Sequence, residues 1–100
     1  MIRKGTTPVH IFKLPFPTNE VGAAKATYKQ GGKIILEKKL EEAVSDGNSL
    51  AWKLTQEETF EFSDTKPVEI QLRVVTFDAQ ALATKVFTEQ VYRSLDEEVL

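Results

Sequence analysis

No cysteine occurs among the 100 residues. Disulfides, thiolate nucleophiles and the usual structural zinc sites are therefore excluded together, and the core alone must hold the fold. His10 is the single histidine, so no paired-imidazole metal site can be drawn, and a lone imidazole reads as a structural or surface group. Gly31-Gly32 is not followed by Lys-Ser/Thr and no GxGxxG follows a strand, so phosphate-cradling loops are missing. Asp46-Gly47-Asn48 lacks the repeated acidic spacing and distal glutamate of a calcium loop and reads as a hairpin turn. Adjacent Glu57 and Glu58 point apart on a helical turn. No catalytic residue, metal ligand or cofactor is expected, and the chain reads as a non-enzyme. No apolar run approaches the roughly 20 residues that span a bilayer. MIRKGTTPVHIF has a basic start but neither the apolar length nor the cleavage site of a signal peptide.

What is present is a chain of 41% apolar and 28% charged residues, enough for one domain that buries roughly 60–70% of its unfolded surface. The net charge of −2 conceals a division. Residues 1–39 carry eight basic residues against Glu20 and Glu37, giving +6, whereas residues 40–100 carry five basic and thirteen acidic residues, giving −8. Strand pairing that interleaves the halves is the ordinary reading. A molecule with opposite poles is the sharper one, and it implies head-to-tail self-association that weakens as salt rises.

The chain is organised around residues 52–77. Val68, Ile70, Leu72 and Val74 alternate with Glu69, Gln71 and Arg73, the period-2 signature of a half-buried strand. Residues 1–7 have no periodicity and read as a flexible arm. In VHIFKL, His10, Phe12 and Leu14 share one face and Val9, Ile11 and Lys13 the other, so this strand is apolar on most of both sides. Pro8 precedes it and Pro15 and Pro17 end it. Ala24, Ala26 and Tyr28 alternate with Lys25, Thr27 and Lys29 in a second strand, and Gly31-Gly32 supplies a hairpin turn.

Residues 34–45 are contested. Leu36, Leu40 and Val44 recur at helical spacing and Gly47 sits where a helix cap would, yet Ile34 and Leu36 continue the Gly-Gly hairpin. Two short strands are expected, with a helix as the alternative. Leu50, Trp52 and Leu54 share a face of the next strand. Thr55 to Glu58 spells a capping box, so one helical turn is expected near 55–59, with Phe60 and Phe62 anchoring that corner. Residues 81–93 read as a last strand with a bulge between Val86 and Phe87, and residues 94–100 as an acidic tail. Together these predict an all-β, immunoglobulin-like sandwich of about seven strands, in which Trp52 packs on aliphatic partners.

Lys25, Lys29 and Lys33 beside Tyr28 offer a weak single-strand nucleic-acid pattern, which the sequence pI near 5.4 opposes; lysines on edge strands more often block unwanted pairing. A small carbohydrate- or cell-surface-binding module would want exposed aromatics, and most of the nine aromatics fall at expected core positions.

The opening MIRKGTTPVHIFKLPF, the central KLTQEETFEF, the strand VEIQLRV, ALAT at 81–84 and the ending DEEVL carry a resemblance that spans nearly the whole chain. It is to a family of small uncharacterised structural proteins encoded in phages and prophages of Gram-positive bacteria. The opening is more distantly similar to the N-terminal β domains of phage baseplate upper proteins. The resemblance implies extended structure at 34–44, and a virion-associated or assembly role in the host cytoplasm and then the particle. It implies contacts with other phage structural proteins or with further copies of the chain, and it carries over no catalytic residues. Arg3, Lys4, Lys25, Lys29 and Lys33 are the expected partner-binding residues; neither nucleic acid nor membrane is an expected partner.

Overall fold

The strongest period-2 segments lie side by side. In a computed structural model describing residues 1–100, β3 (Val21–Gln30) pairs antiparallel with β7 (Val68–Thr76) along most of its length, and with β4 (Lys33–Lys39) on its other side. Gly31 and Gly32 both have positive φ, 56° and 79°, which closes the β3–β4 hairpin at a turn that side chains disfavour. β7 is completed by β8 (Ala81–Ala83) and β9 (Phe87–Glu89), giving a five-stranded sheet. A smaller sheet has the order β2 (Val9–Lys13), β6 (Ser49–Lys53), β5 (Val44–Asp46).

The inward rows of the two sheets meet in one core. Val68, Ile70, Leu72, Val74, Ala26 and Tyr28 come from the larger sheet, and Phe12, Leu50 and Trp52 from the smaller. This is the expected all-β sandwich. Its strand order is its own, with β3 in the larger sheet between β4 and β7, whereas the second strand of an immunoglobulin domain pairs with the fifth. The five-residue helix α1 (Gln56–Phe60) opens on the predicted capping box: Thr55 Oγ1 accepts from Glu58 N–H at 3.1 Å, and Glu58 Oε1 accepts from Thr55 N–H at 2.8 Å.

Three expectations need correction. Residues 1–7 are not a free arm. β1 (Ile2–Arg3) pairs in parallel with β10 (Val91–Tyr92), and Ile2 is buried in the core. Gly5 N–H donates to Thr59 Oγ1 at 2.9 Å, and the Thr59 hydroxyl donates to the Thr6 carbonyl at 3.1 Å. A two-residue pairing across the whole chain leaves no local periodicity to read.

The last strand carries no single bulge at Val86/Phe87. It breaks into β8 and β9, because Thr84 caps the break: its Oγ1 accepts from Leu72 N–H at 3.1 Å, and its own N–H donates to the Leu72 carbonyl at 2.9 Å.

The charge halves do not form poles. Four of the five ion pairs join residues of 1–39 to residues of 40–100: the Met1 ammonium with Glu89, Lys4 with Glu97, and Lys38 with Glu42 and Glu58. Strand pairing interleaves the charges of the two halves at these contacts, the ordinary reading of the division.

Two short strands, Lys33–Lys39 and Val44–Asp46, stand where they were expected at 34–45. β4 is followed by a 3-10 turn at Leu40–Glu42, in which Glu42 Oε2 accepts from Lys39 N–H at 2.9 Å, and then by β5. The helical propensity of LEKKLEEAV, rich in Leu, Glu and Lys, is overridden by the ladder that β3 offers to its first residues.

Candidate functional site

A two-sheet sandwich has edges, and unpaired edge backbone recruits other strands unless it is guarded. Three of the edges here are guarded. β4 carries four charges in seven residues, β5 is three residues long, and the β8–β9 edge is broken at Thr84. The fourth, β2, is not. It has five residues with one full charge, Lys13, at its end.

The pairing of β2 with β6 fixes which groups remain free. Leu54 N–H donates to the Pro8 carbonyl at 2.9 Å and Leu14 N–H to the Asn48 carbonyl at 2.7 Å, and His10 lies opposite Trp52. The even-numbered residues therefore bond towards β6, because the sense of bonding alternates along an antiparallel strand. Val9, Ile11 and Lys13 turn their N–H and C=O groups to the open edge. Their side chains lie on the outer face, where Val9 is 53% and Ile11 64% exposed.

Beside this edge the sheets part over a cleft of about 190 Å³ lined by His10, Phe12, Ile70, Phe87 and Glu89 together with Val9 and Ile11. Phe12 meets Phe87 edge-on with ring centroids 6.0 Å apart, so the floor is apolar. His10 Nδ1 lies 2.6 Å from the buried Tyr28 hydroxyl. Burial pushes the Tyr28 pKa up, and the Glu58 charge adds to this, so the phenol keeps its proton. Burial, the largest influence, holds the His10 pKa below its usual value; Glu89 pulls it back up and the N-terminal ammonium lowers it further. In the neutral pair the phenol donates to Nδ1 when the imidazole proton is on Nε2, and accepts from Nδ1–H in the other tautomer.

A pH dependence follows. The unfolded chain binds a proton at His10 near pH 6.5 that the folded chain takes up only at lower pH. Stability is thus complete above about pH 6.5 and falls as the pH drops towards the folded value. Urea midpoints measured across pH about 5 to 8 should decline on the acid side, and His10→Gln should flatten that decline. An equal slope in both proteins would show that another group is responsible.

The expected partner-binding residues do not form one patch. Arg3 Nη1 donates to the Arg93 carbonyl at 3.0 Å and its guanidinium lies over the Tyr92 ring, while Lys4 pairs with Glu97, so both are held on the β1–β10 pair. Lys25 and Lys29 lie on the outer face of β3, and Lys33 stands beyond the hairpin turn.

Lys25 bonds Glu37 at 3.2 Å, and its strand neighbours on the two sides are Lys39 and Arg73. These three cations and Glu41 line a groove of about 530 Å³ together with Gly22, Ala23, Ala81 and Ala83. Lys39 and Arg73 were not legible as part of such a row, because like charges become neighbours only once the register is set. The open β2 edge did leave a signal, a proline-bracketed strand apolar on both faces. Trp52 is buried and its indole Nε1–H donates to the Lys39 carbonyl at 2.9 Å, as befits a core anchor.

Comparison with protein-family models, with curated proteins and with solved structures finds no match to this chain.

Proposed function

We propose that the chain is a non-enzymatic structural or adaptor module of a phage or prophage, present in the host cytoplasm during assembly and then in the particle, and acting through protein–protein contacts. The observation that supports this reading most is the unguarded β2 edge, where free backbone groups, exposed Val9 and Ile11 and an apolar cleft coincide. Main-chain hydrogen bonds from such an edge give affinity, and pockets for alternate side chains give specificity. For the carbohydrate-binding alternative the only tryptophan is inside the core, which leaves Phe77, Phe87 and Tyr92 as the exposed aromatics. Mass spectrometry of gradient-purified particles and assembly intermediates from an induced lysogen encoding the chain tests the proposal. The chain should be present in fixed ratio to the tail or capsid proteins, and its absence from both fractions would overturn the reading.

A further inference from the structure

The free edge of β2 is complementary to itself. When two copies of VHIFK run antiparallel about Ile11, Val9 faces Lys13, His10 faces Phe12, and Ile11 faces Ile11. The outward N–H and C=O groups belong to residues 9, 11 and 13, and this register matches odd residues only with odd ones. Every outward group then finds a partner, each facing pair exchanging two hydrogen bonds. A shift by one residue would set outward groups against groups already bonded to β6.

The side chains agree with the register. Exposed Ile11 packs on its own counterpart. Lys13 lies opposite Val9, so the two Lys13 ammoniums are held about 13 Å apart along the strands and no like charges oppose each other. On the inner face, Phe12 of the second copy falls opposite His10 while each Phe12 ring stays packed on its own Trp52 and Phe87.

We infer that β2 pairs with β2 of a second copy across a two-fold axis at Ile11, which joins the two three-stranded sheets into one of six strands. This rests on the reading of β2 as a contact edge and commits that edge to self-association. It replaces the charge-driven, head-to-tail arrangement with an isologous one, closed by its own symmetry.

Analytical ultracentrifugation of the full chain should show a concentration-dependent dimer that does not weaken as salt is raised, because apolar contact and backbone bonds hold it. Ile11→Lys, which sets two ammoniums face to face at the axis, should weaken it about 10- to 100-fold. The register is tested by single cysteines in a chain that has none. Ile11→Cys should crosslink on mild oxidation, since facing hydrogen-bonded residues lie about 5.5 Å apart at Cα, within disulfide reach. Val9→Cys should not, being displaced from its own counterpart by four residues. Both side chains point to solvent, and unchanged urea midpoints would show that the variants fold. A monomer at all concentrations, or equal crosslinking at both positions, overturns the two-fold pairing. Incorporation into particles is scored separately: if the isolated chain is monomeric yet Ile11→Lys is lost from particles, β2 pairs with a different protein, so self-pairing falls while the contact-module reading stands.

Discussion

Replacing Trp52 by alanine should cost about 3–5 kcal/mol of folding stability, a large share of the roughly 5–15 kcal/mol that a domain of this size has. The indole has no solvent exposure, meets Phe12 edge-on at 5.8 Å, and comes from the smaller sheet. Its Nε1–H reaches the carbonyl of Lys39 at the end of β4, so the same side chain that fills the core also ties the two sheets together by a hydrogen bond. Truncation removes both, and the cavity it leaves is bounded by a ladder on each side that cannot easily collapse. Trp52→Phe separates the two contributions: it keeps an aromatic ring and should lose closer to 1–2 kcal/mol, mostly the unpaired carbonyl and the smaller volume. Chemical denaturation of the three proteins is the measurement. A loss below about 1 kcal/mol for alanine would mean that the indole is not the joint between the sheets.

The second large effect concerns a lysine that alternation turns inward. Lys38 lies on the core side of β4, beside Ala26, with its side chain 8% exposed, and its ammonium meets Glu58 at 2.6 Å and Glu42 at 3.7 Å. Desolvating that ammonium is tolerable only because the α1 carboxylate is fixed in place by the capping box. Burial pushes the Glu58 pKa up, but the hydrogen bond from Lys38, the Thr55 N–H and hydroxyl, and the Lys38 charge outweigh it, so the carboxyl is held below its usual range.

Glu58→Gln should therefore destabilise by about 3 kcal/mol, the lower end for a buried cation that loses its partner, because Glu42 still faces it. Lys38→Met should cost under about 1 kcal/mol, since the thioether fills the same space and Glu58, which is less buried, keeps its bonds to Thr55. The inequality between the two substitutions is the test, and equal losses would show an ordinary surface ion pair. The pH signature has a fixed sign. The folded pKa of Glu58 is depressed, so its contribution is complete above the unfolded value near pH 4.3 and is lost as the pH falls through the folded value. This acid limb lies below that of His10, so single substitutions at the two positions separate them.

Local chemistry in the sequence determined where strands, turns and the helix start. The alternations at 21–30, 50–54 and 68–76, the Gly31-Gly32 turn and the Thr55–Glu58 box each act within a few residues of chain, and each is found where its residues stand. The burial of Trp52 also followed from its parity with Leu50 and Leu54.

The tertiary structure alone decided which strands are neighbours, because a backbone edge bonds equally well to any strand that arrives in register. That is why Ile2 could be read as part of an arm and found in the core, and why Lys39, Lys25 and Arg73 became a row. Lys38 shares its parity with Leu36 and has Glu42 four residues on, but its nearer partner Glu58 lies on α1, which only folding brings close. The open β2 edge belongs to the same class: VHIFK is apolar on both faces in the sequence, but that it lies outermost, with the backbone groups of Val9 and Ile11 turned away from β6, depends on where β6 and the larger sheet come to rest.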